Sequence, residues 1–181
     1  VPYSEFRRFQ EVMAEDSGLS VLSSLFDGIL PLVPGLTEKL KQGINVLDVG
    51  CGQGRALNMI AKAFPNSRFT GYDLSEEAIE TANADAADYG IENVRFSVRD
   101  LTTFDEDAPE ATFDLITSFD AIHDQARPDR VLAGIRKALK PDGTYLMQDI
   151  AASSHVENNL EHPLSPFLYT VSTMHCMTVS L

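Results

Sequence analysis

The sequence is poor in cysteine and in positive charge, and it has no tryptophan. Cys51 and Cys176 lie far apart among 181 residues, which excludes a disulfide scaffold and fits a reducing compartment, so we expect a cytoplasmic protein. Only 14 lysines and arginines stand against 27 aspartates and glutamates, for a formal net charge of −13. Because nucleic-acid binding draws heavily on basic residues, a nucleic acid is a poor candidate partner.

Several familiar sequence signals are also absent. The first residues show no basic region followed by an apolar run, so we expect no signal peptide, and they lack an initiator methionine. The C-terminal stretch 164–181 has no aspartate, glutamate, lysine or arginine, but it contains serine, threonine, proline and histidine, so we expect no membrane span. No Cys-x-x-Cys or His-Glu-x-x-His spacing is present, and no metal site is predicted.

The composition, 44% hydrophobic and 23% charged, is that of a globular domain, and the charge divides the chain into three parts. Residues 1–43 predict an N-terminal helical segment that includes a helix over 4–16. Residues 44–150 predict a central domain of alternating strands and helices. Residues 151–181 contain no lysine or arginine and have apolar residues at helical spacing, which predicts a C-terminal helical lid or a truncated tail.

The middle part alternates strand and helix patterns. Strands are predicted at 45–49, 68–72, 94–98, 113–118 and 144–150, with a turn at 140–143. Helices are predicted between them at 55–64, 75–89 and 128–139. This alternation predicts an α/β fold, a doubly wound and mostly parallel sheet of about five strands, with the ligand beyond the carboxyl ends of the strands.

A glycine-rich loop follows the first predicted strand. The residues from position 48 to 55 read Asp-Val-Gly-Cys-Gly-Gln-Gly-Arg, with glycines at alternate positions. Such glycines let the backbone turn sharply and approach a ligand, and the next helix offers free N–H groups there. The spacing is not the G-x-G-x-x-G of dinucleotide-binding proteins, because Arg55 occupies the third glycine position.

This loop resembles that of class I S-adenosylmethionine-dependent methyltransferases, and the resemblance extends over about residues 44–150. Asp73 ends the second strand, Asp100 follows the third, Asp114 opens the fourth, and Leu-Lys-Pro-Asp-Gly at 139–143 precedes the fifth. The resemblance implies S-adenosylmethionine as cofactor and S-adenosylhomocysteine as product. The implied cofactor-binding residues are Asp48, Gly50, Cys51, Gly52, Gly54, Asp73, Leu74, Asp100, Leu101 and Phe119.

Within these residues, the resemblance assigns particular contacts. Asp73 would accept hydrogen bonds from the ribose hydroxyls, and Asp100 would bind the adenine amine. Carboxylates suit both partners because charge-assisted hydrogen bonds are strong. Cys51 has no activating partner in the sequence, so we interpret it as a packing residue of the loop and not as a nucleophile.

Two histidines are candidate catalytic residues. His123 follows the fourth strand, near the expected mouth of the cofactor site, and is a candidate general base. His175 lies in Met-His-Cys-Met at 174–177 and is a candidate lining residue of an acceptor pocket. Ordinary packing at a helix start or on a helix face remains the alternative for both. The expected acceptor is a small molecule or a protein side chain.

Three segments, 30–36, 162–169 and 174–177, resemble a subgroup of these methyltransferases that often carries an N-terminal winged-helix domain, which this sequence does not show. The family fold has seven strands, and we count five, so we expect a fragment or a shortened form. The fifth strand would then be an exposed edge suited to homodimer formation. The alternatives are a non-catalytic cofactor-binding fragment, a nicotinamide-dependent oxidoreductase and an interaction protein that only keeps the fold.

Overall fold

The computed structural model describes residues 12, 15 and 18–180. The helix predicted over 4–16 therefore lies outside the described residues, apart from residues 12 and 15. A helical segment of three consecutive turns, Leu22–Ser24, Leu25–Ile29 and Leu30–Leu32, precedes a regular α-helix. Helix α1 spans Leu36–Gln42 and ends at Gly43, whose φ of 107° is open to glycine and strained for other residues.

The central part alternates strands and helices, as the sequence predicts. Most residue bounds follow the hydrophobic pattern because the strands are short apolar or alternating segments, and the helices that begin at Arg55 and Pro128 each carry an amphipathic face. The elements are β1 (Asn45–Val49), α2 (Arg55–Ala63), β2 (Arg68–Asp73), α3 (Glu76–Asp88), β3 (Val94–Val98), α4 (Phe104–Asp107), β4 (Phe113–Phe119), α5 (Pro128–Ala138) and β5 (Leu139–Gln148).

The five strands form one parallel sheet in the order β3-β2-β1-β4-β5. The predicted α/β doubly wound sheet is thus confirmed. The chain leaves β1 toward β2 and β3 and then returns to place β4 on the other side of β1. The order reverses between β1 and β4, and ligands of such sheets bind at this switch point, outside the carboxyl ends of the strands.

The turn predicted at 140–143 is wrong, because these residues lie within β5. The pairing of β5 with β4 shifts register there: Phe113 pairs with Leu139, whereas Leu115 pairs with Thr144. The extra residues between these pairs bulge out of the ladder, which is how a strand accommodates a Pro-Asp-Gly sequence with turn character.

The core lies on both faces of the sheet. Alternate residues of β1 point to opposite faces, so Val46 packs in one cluster and Leu47 in the other. The first cluster includes Leu57 and Ile60 of α2, and the second includes Val131 of α5. Helices on both faces fix the position of β1 and with it the glycine loop.

The C-terminal part combines short helical elements with irregular backbone. It contains a 3-10 turn at Val156–Asn159, helix α6 at Ser165–Val171, a π-helical turn at Ser172–Cys176 and the short α7 at Met177–Val179. Among the described residues, no single helix has the length and apolar character to cross a bilayer. One pair of helices, 18–32 and Leu36–Gln42, meets those criteria jointly, but it is bent by 100°.

Candidate functional site

A cavity of about 200 Å³ opens at the carboxyl ends of the strands, where the order of the sheet reverses. Its wall includes the glycine loop after β1 and the ends of β2, β3 and β4. Nine of the ten residues predicted to bind a cofactor line it: Asp48, Gly50, Cys51, Gly52, Asp73, Leu74, Asp100, Leu101 and Phe119. The topology thus brings together residues that are as much as 71 positions apart, because the ends of parallel strands meet at one edge.

The glycine loop needs its glycines for two different reasons. Gly50, Gly52 and Gly54 all have positive φ, at 73°, 51° and 67°. A Cβ on Gly50 would lie 2.5 Å from the Cβ of Ala121, and one on Gly54 would lie 2.5 Å from the ring of Phe96. Gly54 is outside the cavity lining and serves packing. A Cβ on Gly52 would meet nothing within 4 Å, so this part of the loop faces open space.

Asp73, the last residue of β2, holds the glycine loop in place. Its Oδ2 accepts a hydrogen bond from the Gly52 N–H at 2.7 Å, and its Oδ1 accepts one from the Ser75 N–H at 2.9 Å. Each carboxylate oxygen has two acceptor sites, so both oxygens keep capacity for a further donor. Burial raises the pKa of Asp73, and the three backbone hydrogen bonds from Ser75, Gly52 and Leu74 oppose that shift.

Asp48 is a buried carboxyl on β1, with 3% of its surface exposed. Burial raises its pKa to about 7; the hydrogen bond from Thr117 lowers it, and the nearby charge of Asp73 raises it. The Thr117 hydroxyl donates to Asp48 Oδ1 at 2.7 Å. A carboxyl that titrates near neutral pH and faces the cavity binds a cationic ligand group more strongly when it is ionised.

Cys51 packs in the loop beneath the cavity. Its thiol is so close to β2 that a Cβ on Gly71 would lie 2.9 Å from its Sγ. Burial and the charges of Asp48 and Asp73 raise the pKa of the Cys51 thiol well above its usual range. The thiol is therefore protonated at neutral pH and has no nucleophilic activation.

Three further predicted cofactor-binding residues, Leu74, Asp100 and Leu101, contribute apolar and acidic surface to the cavity. Asp100 is exposed, and its Oδ1 accepts a hydrogen bond from the Thr102 N–H at 2.9 Å. Leu74 is half exposed at 53%, whereas Leu101 is buried at 5%. This part of the cavity offers an apolar surface flanked by a solvated carboxylate, an arrangement suited to a flat heteroaromatic group with an exocyclic amine.

His123 and His175 do not line the cavity; both lie behind Asp124, which does. His123 Nδ1 is 2.7 Å from Asp149 Oδ1, and its Nε2 is 3.3 Å from Asp124 Oδ1. His175 Nε2 lies 3.6 Å from Asp124 Oδ2. Burial lowers the pKa of His175, against the opposing charge of Asp124.

Cys176 lies close to His123 and Asp124. Burial, the charge of Asp124 and a hydrogen bond to Asp124 together raise the pKa of the Cys176 thiol to about 12.

The sequence analysis missed several cavity residues. Val21 and Val179 line the cavity from the N-terminal and C-terminal parts, which are remote in sequence from the glycine loop. Arg99 also lines it, and its guanidinium contacts the carboxylate of Asp107 at 2.9 Å and stacks 4.7 Å from the centre of the Tyr72 ring. The sequence signal that could have identified Arg99 as a cavity residue is its position, directly after β3 and directly before Asp100.

The fold and the cavity together define a Rossmann-like domain, a class that binds nucleotide-type cofactors at the switch point of the sheet. A family model described as "Methyltransferase domain" matches residues 40–175, most of the chain. The chain therefore belongs to the S-adenosylmethionine-dependent class I methyltransferase family. The family resemblance stated from the glycine loop is confirmed.

Relatives and solved structures agree with this family. The chain is 30% identical over 108 residues to the fatty-acid O-methyltransferase of Mycolicibacterium smegmatis, an alignment covering 60% of this chain and 38% of that protein. A SAM-dependent methyltransferase from Aquifex aeolicus superposes with a TM-score of 0.58 at 25% identity, covering 67% and 64% of the two chains. PKMT2 from Rickettsia typhi in complex with AdoHcy superposes with a TM-score of 0.53 at 31% identity, covering 59% and 20%.

The cofactor of this family is S-adenosylmethionine, and the residues of the cavity fit it. Gly52 leaves space where a side chain would block approach to the backbone. Both oxygens of Asp73 retain acceptor capacity for a diol. The chain spans about two fifths of the length of the first relatives that it matches, 38% and 41%.

Proposed function

We propose that this chain transfers the methyl group of S-adenosylmethionine to a small-molecule or protein side-chain acceptor. The observation that carries the proposal is the convergence of the glycine loop, Asp73 and Asp100 on one cavity at the switch point of the sheet. Relatives named as O-methyltransferases support methyl transfer to oxygen as the first chemistry to test.

The cofactor supplies an electrophilic methyl group on a sulfonium. The residues of the chain bind and align it: Asp73 accepts from the ribose hydroxyls, Asp100 accepts from the adenine amine, and Asp48 offsets positive charge on the methionine part. Methyl transfer is an in-line displacement, and holding the two reactants in line is the main contribution that the protein makes.

The acceptor enters on the side of the loop that follows β4. Asp120, Asp124 and Gln125 line the cavity there. Carboxylates at this position, in a chain with a net charge of −13, favour a neutral or cationic acceptor over a polyanion. This supports our expectation that nucleic acid is not the substrate.

Two further proposals concern the setting of the enzyme. Both cysteines are free thiols, which supports a reducing location such as the cytoplasm.

Strand β5 is at one end of the sheet and, within the described part of the chain, pairs with β4 alone. Its free edge supports a homodimer, which sedimentation of the chain at several concentrations tests.

The activity is tested by acceptor-dependent formation of S-adenosylhomocysteine over a panel of hydroxyl, amine and thiol compounds. We expect turnover with at least one acceptor and loss of turnover in Asp73→Ala. Binding of S-adenosylhomocysteine without turnover on any acceptor would favour a non-catalytic binding module. Competition by NADH for the same site would favour the nicotinamide alternative.

A further inference from the structure

Behind the cofactor cavity, three side chains with metal-ligating atoms come together from distant parts of the sequence. His123 and Asp124 lie in the loop after β4, and Cys176 ends the π-helical turn near the C-terminus. One ligand atom from each, a ring nitrogen, a carboxylate oxygen and the thiol sulfur, lies within 4.8 Å of the other two. No role in binding the cofactor was assigned to any of them from the sequence.

The orientation of the His123 ring leaves one nitrogen facing the Asp124 carboxylate. The 2.7 Å contact of Nδ1 with Asp149 Oδ1 is a hydrogen bond in which the ring must donate, because a carboxylate only accepts. In the neutral ring, Nε2 then carries the lone pair, and it lies 3.3 Å from Asp124 Oδ1. With a neutral ring two acceptors face each other, and either a proton on Nε2 or a bound cation makes that arrangement favourable.

Asp124 Oδ1 gives a related indication. This oxygen is buried and has no partner of hydrogen-bond geometry among the described residues, although His123 Nε2 lies 3.3 Å away. A buried carboxylate oxygen without a hydrogen bond is costly, and coordination to a metal ion is one of the usual ways in which proteins compensate it.

We propose that His123 Nε2, Asp124 Oδ1 and Cys176 Sγ bind a divalent metal ion of the zinc type. Zinc binds imidazole, carboxylate and thiolate, and bond lengths near 2.0 Å place tetrahedral ligand atoms about 3.3 Å apart. The separation of His123 Nε2 and Asp124 Oδ1 is 3.3 Å. The sequence analysis predicted no metal site because these ligands do not follow a short spacing motif.

The structure also contains residues that can orient the proposed metal ligands. Metal-binding histidines usually donate their other ring N–H to a carboxylate, and Asp149 takes that position for His123. His175 Nε2 lies 3.6 Å from Asp124 Oδ2, the carboxylate oxygen that does not face His123. Each neighbour contacts one of the proposed ligands.

A second set, Asp120, His123 and Asp149, also has ligand atoms close together. The 2.7 Å separation between His123 Nδ1 and Asp149 Oδ1 is shorter than two ligands of one ion adopt and has the length of a hydrogen bond. This contrast assigns the metal to the Nε2 side of the ring and the hydrogen bond to the Nδ1 side.

The proposed ion would fasten the C-terminal helical turn to the loop after β4. Both connected segments reach the cofactor cavity, since Asp124 and Val179 line it. Three protein ligands also leave a fourth coordination position, as in zinc sites that bind water or a substrate heteroatom.

The test uses cobalt(II) as a spectroscopic substitute for zinc. The full chain, first freed of metal by a chelator, is titrated with Co²⁺ alone and followed by absorption. We expect one equivalent to bind, with a thiolate-to-cobalt charge-transfer band and visible bands of tetrahedral intensity, both removed by Zn²⁺. Absence of the thiolate band from the folded chain would overturn the proposal.

Variants assign the ligands. Cys176→Ala removes the charge-transfer band, His123→Ala weakens Co²⁺ binding, and Asp149→Asn weakens it about 10- to 100-fold through the orientation of His123. Matched controls are Cys51→Ser and His155→Ala, which change the other cysteine and an exposed histidine and leave the cobalt spectrum as it is. A band that is lost in Cys51→Ser and kept in Cys176→Ala would contradict the assignment.

Two further measurements separate failure of this proposal from other failures. Far-ultraviolet circular dichroism of each variant shows that it is folded. Binding of S-adenosylhomocysteine, measured on the metal-free chain, reports on the proposed methyltransferase site independently of the metal. A chain that binds S-adenosylhomocysteine but gives no cobalt–thiolate band refutes the metal site and leaves the proposed function standing.

Discussion

The buried carboxyl of Asp48 makes a quantitative prediction about stability. Burial holds its native pKa near 7, against 3.8 for an exposed aspartate, a difference of about three pH units. Between these two values the unfolded chain has released the proton while the native chain still holds it. The wild-type free energy of unfolding therefore falls as pH rises through this window and levels off above pH 7.

The substitution Asp48→Asn removes this titration and keeps an oxygen that accepts from Thr117. One pH unit of proton linkage is worth about 1.4 kcal/mol, so between pH 5 and pH 8 the wild type loses about 2 to 3 kcal/mol relative to the variant. Urea unfolding followed by far-ultraviolet circular dichroism measures this difference at each pH. The chain has no tryptophan, so fluorescence is the weaker probe.

Asp114 provides a matched control on β4. Burial alone would raise its pKa, but hydrogen bonds from Lys140 and the Asn45 N–H lower it below the usual range. The stabilisation that Asp114 provides is fully present above the pKa that it has in the unfolded chain, and it is lost only as the pH falls into the acid range. The difference in unfolding free energy between Asp114→Asn and the wild type should therefore stay constant from pH 5 to pH 8. If the difference in unfolding free energy between Asp48→Asn and the wild type were also constant from pH 5 to pH 8, a native pKa near 7 would be refuted.

Three other substitutions test the structure around the site. Gly54→Ala should lower the unfolding free energy by about 1 to 3 kcal/mol, because its Cβ would lie 2.5 Å from the ring of Phe96; a melting temperature equal to that of the wild type contradicts this. Asn93→Ala should cost about 1 to 3 kcal/mol in chemical denaturation, since its amide donates to three backbone carbonyls around the end of α2; a neutral effect would show those carbonyls to be satisfied otherwise. Ser75→Ala should cost about 1 kcal/mol by loss of the N-cap hydrogen bond from the Ala78 N–H, and Ser75→Asp should restore it in the same assay.

The sheet and the glycine loop were predictable because local pattern determines them. Strands β1 and β3 have the predicted bounds, since β1 is a short apolar run before the glycine loop and β3 begins with alternating apolar and polar residues. The order of the strands and the convergence of Asp48, Asp73 and Asp100 on one edge follow from parallel pairing with crossover helices. These features depend on periodicity and on turn chemistry, which a single sequence carries.

The back of the cavity was not predictable in the same way. The approach of Cys176 to Asp124 joins residues 52 positions apart through an irregular loop and a π-helical turn, and no spacing rule connects them. Val21 and Val179 reach the cavity from segments whose docking depends on tertiary packing. The strand through 140–143 was missed because a bulge absorbs residues whose local preference is a turn.

Calorimetric titration of the chain with S-adenosylhomocysteine tests most directly that this cavity is a methyltransferase cofactor site. We predict saturable binding to one site, weakened at least about tenfold in Asp73→Ala, because one lost charge-assisted hydrogen bond is worth about 1.5 kcal/mol or more. Asp88→Ala, at the exposed end of α3, removes the same charge and should bind like the wild type. No binding by the folded chain, or equal binding by Asp73→Ala, would contradict the account.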